Sequence, residues 1–353
     1  MCSTNESFVM AEELRIFHVA TSMTLGFLGT LGNSVSIYLI IKNQLYRNCT
    51  MLMIIDLCIA NLVSTLFILP MIAASNLYKQ WVFGDGACRG FAYVMYVVIT
   101  AECLLLMHIT VSQYLAIKHN VKYEPCQMTA TIFLLVCMPW AISLAIYTVP
   151  LLHAWDDFGY DPKRGYCTMV NIKGERSFHS VLSIIFISII SLVTIYCYSS
   201  IYYVHFKSQK RTLTTVKEAS TRFRGQARNT QLIKMITVIL INYSVTYIPF
   251  LIMSIIDPCV QLTPVFLYTM VIYISWSHTA TNPVIYALMN TKINAVWRKF
   301  LSCDTSRNKV DIQNVPVTEY QPDTLTQQSY DINNKPIQCV IVHGIQSNSE
   351  YTL

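Results

Sequence analysis

Cys88–Lys118, CRGFAYVMYVVITAECLLLMHITVSQYLAIK, is the stretch on which the reading of this chain turns. It has the length and apolarity of a membrane-crossing helix, begins on a cysteine and ends on Ser112-Gln113-Tyr114. A single carboxylate, Glu102, lies fourteen residues after Cys88 and eleven before Gln113. At 1.5 Å per residue it sits roughly 21 Å from one end and roughly 16 Å from the other, near the middle of a bilayer. An ionisable group there is costly unless it faces protein or water, so it marks a candidate functional site.

Working outward, the composition agrees with a membrane setting. Hydrophobic residues make up 54% of the chain and charged ones 12%, far from a soluble average. Apolar runs long enough to cross about 30 Å of hydrocarbon recur near 16–41, 51–74, 87–117, 129–152, 178–204, 232–256 and 263–290. The first is too long for a cleaved signal, lacks a basic leader and follows Glu12 and Glu13, so it reads as a true span. The expected fold is an all-α membrane protein, a seven-transmembrane helix bundle over residues 16–302. Residues 1–15 form an outer N-terminus and 303–353 a disordered cytoplasmic tail.

Lysine and arginine are about twice as frequent in the connections on one side as on the other, counting the run from Lys207 to Arg228 and the group Lys292, Arg298 and Lys299. That bias places the N-terminus outside and the C-terminus inside a plasma membrane. The net charge of +6 is thereby explained by topology, and nucleic acid is not expected as a partner. Of the 12 cysteines, most lie in spans or on the inner side and read as buried thiols. Cys88 and Cys167 both fall on the oxidising side, where a disulfide between them is expected. Cys2 and Cys259 are outside as well, with no spacing that pairs them. Asn5 begins an Asn-Glu-Ser glycosylation acceptor.

Polar residues inside the spans gather at one depth. Asn33 is about 12 Å and Asn61 about 16 Å from the inner boundary, with His278 and Asn282 at about 18 and 12 Å. Asn33, Asn61, Glu102, His278 and Asn282 therefore form a central polar layer. Either each satisfies its own helix, or together they hold a proton or a sodium ion, the latter near Asn61 and Glu102. Asp56 points roughly 140° away from Asn61, leaving His108 or the Trp140 indole as its partner. Gly26, Gly29 and Gly32 recur on one face of the first span and permit close approach of a neighbour.

Pro249 interrupts the sixth span and Pro283 the seventh, where they should bend the helices. Ile293, Val296, Trp297, Phe300 and Leu301 recur with helical period among Lys292, Arg298 and Lys299. They predict a short amphipathic helix lying on membrane lipid. Cys303 directly after it is a candidate acylation site.

Seven spans, Cys88 with Cys167, Gly32-Asn33, the Leu57–Leu62 segment, Trp81 with Phe83-Gly84, Trp140, Tyr198, Pro249 and Asn282-Pro283-Val284-Ile285-Tyr286 fall in an order that resembles the rhodopsin-like G-protein-coupled receptors. The resemblance covers about residues 16 to 302. It implies an extracellular ligand in the outer half of the bundle and a heterotrimeric G protein, with arrestin as a further partner, at the inner half. It assigns Ser112, Gln113, Tyr114, Tyr198, Pro249, Pro283 and Tyr286 to the switch and the G-protein interface.

Departures from the family pattern carry their own expectations. Ser112-Gln113-Tyr114 stands where the family usually has Asp-Arg-Tyr, so the arginine's ion pair and its contact with the G protein are missing. Asn61 replaces a sodium-holding aspartate while Glu102 stands where serine is common, and Tyr247 replaces a tryptophan before Pro249. Met95 occupies the position of the amine receptors' aspartate and argues against a biogenic amine. Trp276 occupies that of the retinal-linking lysine. Met95, Tyr96, Ile99, Tyr243, Tyr247, Tyr273 and Trp276 are expected to form an aromatic pocket for a small or lipid-like ligand.

The leading expectation is thus a receptor that signals to a G protein. The alternatives are a receptor with lost or altered coupling, acting as a decoy or through arrestin, and a proton or cation transporter centred on Glu102. No internal repeat of the kind transporters use is evident. No HExxH, GxSxG or phosphate-loop motif points to an enzyme.

Overall fold

The computed structural model describes residues 8–118, 133–170, 177–212 and 219–289, with Asn294. Asn5, the amphipathic helix expected over 293–301, Cys303 and the tail lie outside the described residues, Asn294 excepted. Seven helical segments follow the seven apolar runs. They are Glu12–Lys42, Cys49–Leu77, Asp85–Lys118, Phe133–Cys137 continuing as Met138–Leu151, Phe178–Thr212, Ala219–Ile256, and Val265–Trp276 with His278–Met289. The third is the axis of the bundle: 78% of its apolar window is buried by protein, against 12% for the fifth. Large apolar side chains such as Phe27, Leu192, Val245 and Leu288 stay exposed around the bundle, as a hydrocarbon solvent requires.

Two spans contain a widened turn in which backbone bonds reach five residues instead of four, at Ser64–Ile68 and at Phe133–Cys137. Each ends two residues before a proline, Pro70 and Pro139. A proline ring inside a helix crowds the carbonyl four residues back and donates no hydrogen bond. Widening the preceding turn relieves that crowding.

The first span rests on the first of these turns. A Cβ on Gly29 would lie 2.5 Å from Thr65 Cγ2, and one on Gly32 would lie 2.8 Å from Pro283 Cβ. The glycine face therefore lets the first span touch the second and the seventh along their backbones.

The seventh span is not the continuous helix that its apolar run predicts; it breaks at Ser277. Three hydroxyls at alternate positions each donate to the carbonyl three residues back: Ser275 to Ile272 at 2.6 Å, Ser277 to Ile274 at 2.6 Å and Thr279 to Trp276 at 2.8 Å. Local bonds of this kind compete with the helical ladder and tighten it.

Between the fourth and fifth spans, strands β1 (Asp157–Asp161) and β2 (Tyr166–Val170) form an antiparallel hairpin with Tyr160 opposite Cys167. Cys167 is bonded to Cys88 with their Cα atoms 5.4 Å apart, which ties the hairpin to the start of the third span. Gly165 closes the turn at φ +73, and a Cβ there would fall 2.4 Å from Asn76 Oδ1; conformation and space both demand glycine.

Two carboxylates anchor the surrounding chain. Asp156 accepts from Phe178 N at 2.7 Å and Ser177 Oγ at 3.2 Å, capping the fifth span; burial nevertheless holds its carboxyl above the usual range. Asp257 accepts from the backbone N–H groups of Gln261, Leu262 and Thr263 at 2.8, 2.9 and 2.8 Å. Burial works against its charge, but those donors prevail and its carboxyl lies below the usual range. Cys49 and Cys259 each form a disulfide with a residue outside the described ones, so Cys49 is not the buried thiol its location suggests.

Candidate functional site

Glu102 on the third span is fully enclosed, and its Oε2 lies 3.0 Å from Nε2 of His278, the first residue after the break in the seventh span. The other imidazole nitrogen, Nδ1, bonds the carbonyl of Ser275 and must therefore be a donor. Nε2 of a neutral ring is then an acceptor, so the contact with Oε2 needs a proton between the two atoms. One transferable proton leaves the pair with no net charge, whichever atom holds it. That is the form in which such groups tolerate burial. Oε1 of Glu102 has no hydrogen-bond partner.

The remaining members of the expected polar layer are present but do not bond Glu102. Asn61 Nδ2 donates to Asn33 Oδ1 at 3.2 Å, and Asn33 Nδ2 donates to Thr279 O at 2.9 Å, one residue from His278. Asn282 instead accepts from Asn242 Nδ2 on the sixth span at 3.2 Å. The single shared pocket expected from depth is thus three adjoining pairs, knit together by His278, Thr279 and Asn282 of one helix. Asn61 Oδ1 and Asn282 Nδ2 remain without partners. Asp56 accepts from the Trp140 indole at 3.0 Å, which leaves His108 outside that contact. Asn242 was missed; its only signal was its depth next to Tyr243.

Above the pair, toward the hairpin, lies a small cavity with His278 and Trp276 at its floor. The third span contributes Met95, Tyr96 and Ile99 to its wall, and the sixth contributes Tyr247. Tyr243 borders a neighbouring space that shares Tyr96, Ile99 and Tyr247 with the first. Tyr243 also stacks obliquely on His278, ring centroids 4.9 Å apart, and its hydroxyl reaches Cys103 Sγ at 3.3 Å.

Tyr273 does not belong to this cavity. Its hydroxyl bonds Ser22 Oγ at 2.7 Å and His18 Nδ1 at 2.9 Å, which turns it toward the first span. Depth and aromatic character could not disclose that rotation. The hairpin lid and the fifth span supply residues the sequence reading omitted, chiefly Arg164, Thr168 and His179. Thr168 Oγ1 bonds Tyr96 OH at 2.8 Å and couples lid to wall.

At the far end, Gln113 Nε2 donates to Thr50 Oγ1 at 2.7 Å and is buried against the second span. Ser112 bonds its own helix at Ile109 O. Tyr114 meets Tyr196 OH at 3.2 Å and receives Lys118 Nζ at 3.0 Å. Tyr198 is half-buried and hydrogen-bonded to Thr237. Tyr286 is wholly buried with an unpartnered hydroxyl, and Pro249 and Pro283 lie within their helices. Among the described residues no group of three or more His, Cys, Asp or Glu side chains is placed to hold a metal ion.

Comparison with known proteins adds four findings. The family model described as 7 transmembrane receptor (rhodopsin family) matches residues 32–286. "Protein trapped in endoderm-1" of Drosophila melanogaster is 24% identical over 293 residues, covering 78% of this chain and 74% of that protein. "G-protein coupled receptor moody" of the same species is 23% identical over 356 residues, covering 84% of this chain and 53% of that protein, so the chain spans about half of moody's length. Among solved structures, squid rhodopsin superposes with a TM-score of 0.73 at 17% identity, over 89% of this chain and 92% of the other. That likeness shows the fold.

Proposed function

The chain belongs to the rhodopsin family of seven-transmembrane receptors, and on that premise we propose that it couples an extracellular ligand to heterotrimeric G proteins across the plasma membrane, with its N-terminus outside. A receptor rather than an enzyme, it converts occupancy of the cavity into a rearrangement of helices. The observation that carries this reading is the double position of His278. The same imidazole floors the cavity and shares a proton with Glu102, while its face meets Tyr243 on the sixth span. A ligand that moves His278 alters the proton pair and the seam between the third, sixth and seventh spans together. To switch the receptor it must bind the two arrangements with different affinity, and about 100-fold preference corresponds to about 2.7 kcal/mol.

The ligand is small or lipid-like and not a biogenic amine. Met95 takes the place of an amine's counter-ion, and among the described residues the cavity wall carries no carboxylate. The central layer holds its carboxylate against an imidazole, Glu102 against His278. A sodium ion near Asn61 and Glu102 has two unpartnered oxygens in its favour, Asn61 Oδ1 and Glu102 Oε1. The imidazole already at Oε2 favours the proton.

Ligand-stimulated nucleotide exchange in membranes containing the full chain tests the reading, with His278→Phe expected to abolish the response while cell-surface receptor persists. A second reading, altered coupling with arrestin as the main partner, is favoured by Gln113, which offers an amide tied to Thr50 in place of a free cation. Gln113→Arg raises exchange if coupling has been lost and leaves it unchanged if coupling is native.

A further inference from the structure

The cavity has an electrostatic sign. Arg164, 7% exposed, lines it from the hairpin, and among the described residues no aspartate or glutamate lines it. An amine entering this space would meet a fixed cation, and the neighbouring carboxylate, Asp161, already sits against that guanidinium. The guanidinium is held rigidly: Nη1 donates to Thr168 Oγ1 at 3.1 Å, Nη2 donates to Pro258 O at 2.6 Å, and the plane lies over the Tyr268 ring at 5.2 Å. Nε is 3.3 Å from Asp161 Oδ2 but makes no aligned hydrogen bond. A guanidinium has five N–H donors, so each terminal nitrogen retains one beyond its protein partner.

We propose that the ligand is a monoanion, an apolar or aromatic body with one carboxylate, whose acid is taken by Arg164 at the lid while the body lies along Tyr96, Tyr247 and Trp276 toward His278. This inference rests on the reading that the cavity is the receptor's ligand site. A carboxylate matches the planar fork of a guanidinium, and a fork fixed in advance loses little freedom on binding. Asp161 beside the guanidinium disfavours a second negative charge, which selects a carboxylate over a phosphate dianion. The aromatic wall supplies the apolar contact that orients the body below it.

The test uses the full chain purified in neutral detergent and its thermal unfolding. The probes are straight-chain and aryl-substituted carboxylic acids, each paired with the methyl ester and the primary amine of the same body. At least one acid is expected to raise the unfolding temperature, with its ester and amine needing at least about tenfold more. Arg164→Gln is expected to weaken that acid about 10- to 100-fold and Arg164→Lys less. Arg164 also pins the lid, so Asp161→Asn supplies an independent arm: loss of the competing charge should tighten the acid severalfold.

A panel in which no acid stabilises the receptor overturns the proposal. So does an ester or amine that equals its acid, or an Arg164→Gln receptor that binds the acid unchanged. Nucleotide exchange measured on the same panel separates the two claims. An acid that binds without exchange supports the ligand class and counts against coupling, whereas exchange driven by amines or esters alone supports coupling and overturns the ligand class.

Discussion

Carboxylates in the outer connections and in the centre of the bundle meet opposite surroundings. Asp257 is surrounded by three backbone donors and Asp156 by a backbone and a hydroxyl donor. Glu102 has one partner, an imidazole that needs a proton to bond it, and an oxygen with none. Asn61, Asn282 and Tyr286 around it also keep polar atoms unpaired. A buried polar atom without a partner costs about 1–3 kcal/mol. The outer carboxylates are supplied with donors; the central one is not.

The sharpest way to break that contrast is to remove one half of the proton pair. Glu102→Ala should cost about 3–5 kcal/mol, because it strands a buried imidazole. Combining Glu102→Met with His278→Leu should recover most of that loss yet leave no ligand response, as read from thermal unfolding and nucleotide exchange. Equal loss in the single and double variants would show that the pair is not the sensitive element.

Detaching the lid comes next in size. Cys88→Ser should cost about 2–5 kcal/mol and reduce the receptor at the cell surface, measured by antibody on intact cells. Gly32→Val should cost about 1–3 kcal/mol through overpacking against Pro283, visible as a lower unfolding temperature.

The smallest effect sharpens the outer side. Asp257 is more acidic folded than unfolded, so its contribution is present above its ordinary value of 3.8 and is lost as pH falls through the lower folded value. Wild-type receptor should therefore lose stability on acidification below about pH 4. Asp257→Asn should be weaker by roughly 1 kcal/mol at neutral pH and lack that part of the acid limb in a pH series of unfolding curves.

Span number and the depth of Glu102 and His278 were legible because both depend on counting along an apolar helix. Rotation about the helix axis was not legible. A span whose lipid-facing and protein-facing sides are both apolar gives no pattern to set its phase, so Tyr273 was assigned to the cavity although it faces His18. Asn242 was overlooked for the same reason. The hairpin was hidden because its order comes from a disulfide, a glycine turn and Arg164, all contacts between distant segments. The break at Ser277 did have a local signal, the hydroxyls at 275, 277 and 279, which the continuous apolar run obscured.

The widened turns before Pro70 and Pro139 bear on any attempt to use these helices as a ruler. Each inserts the equivalent of one extra residue, about 100° of azimuth, between the two ends of a span. Spin labels or cross-linkers placed on either side of Ser64–Ile68 from an ideal helical net would report the wrong neighbours. A homologue that lost the proline and the wide turn together would rotate everything beyond that point against its surroundings.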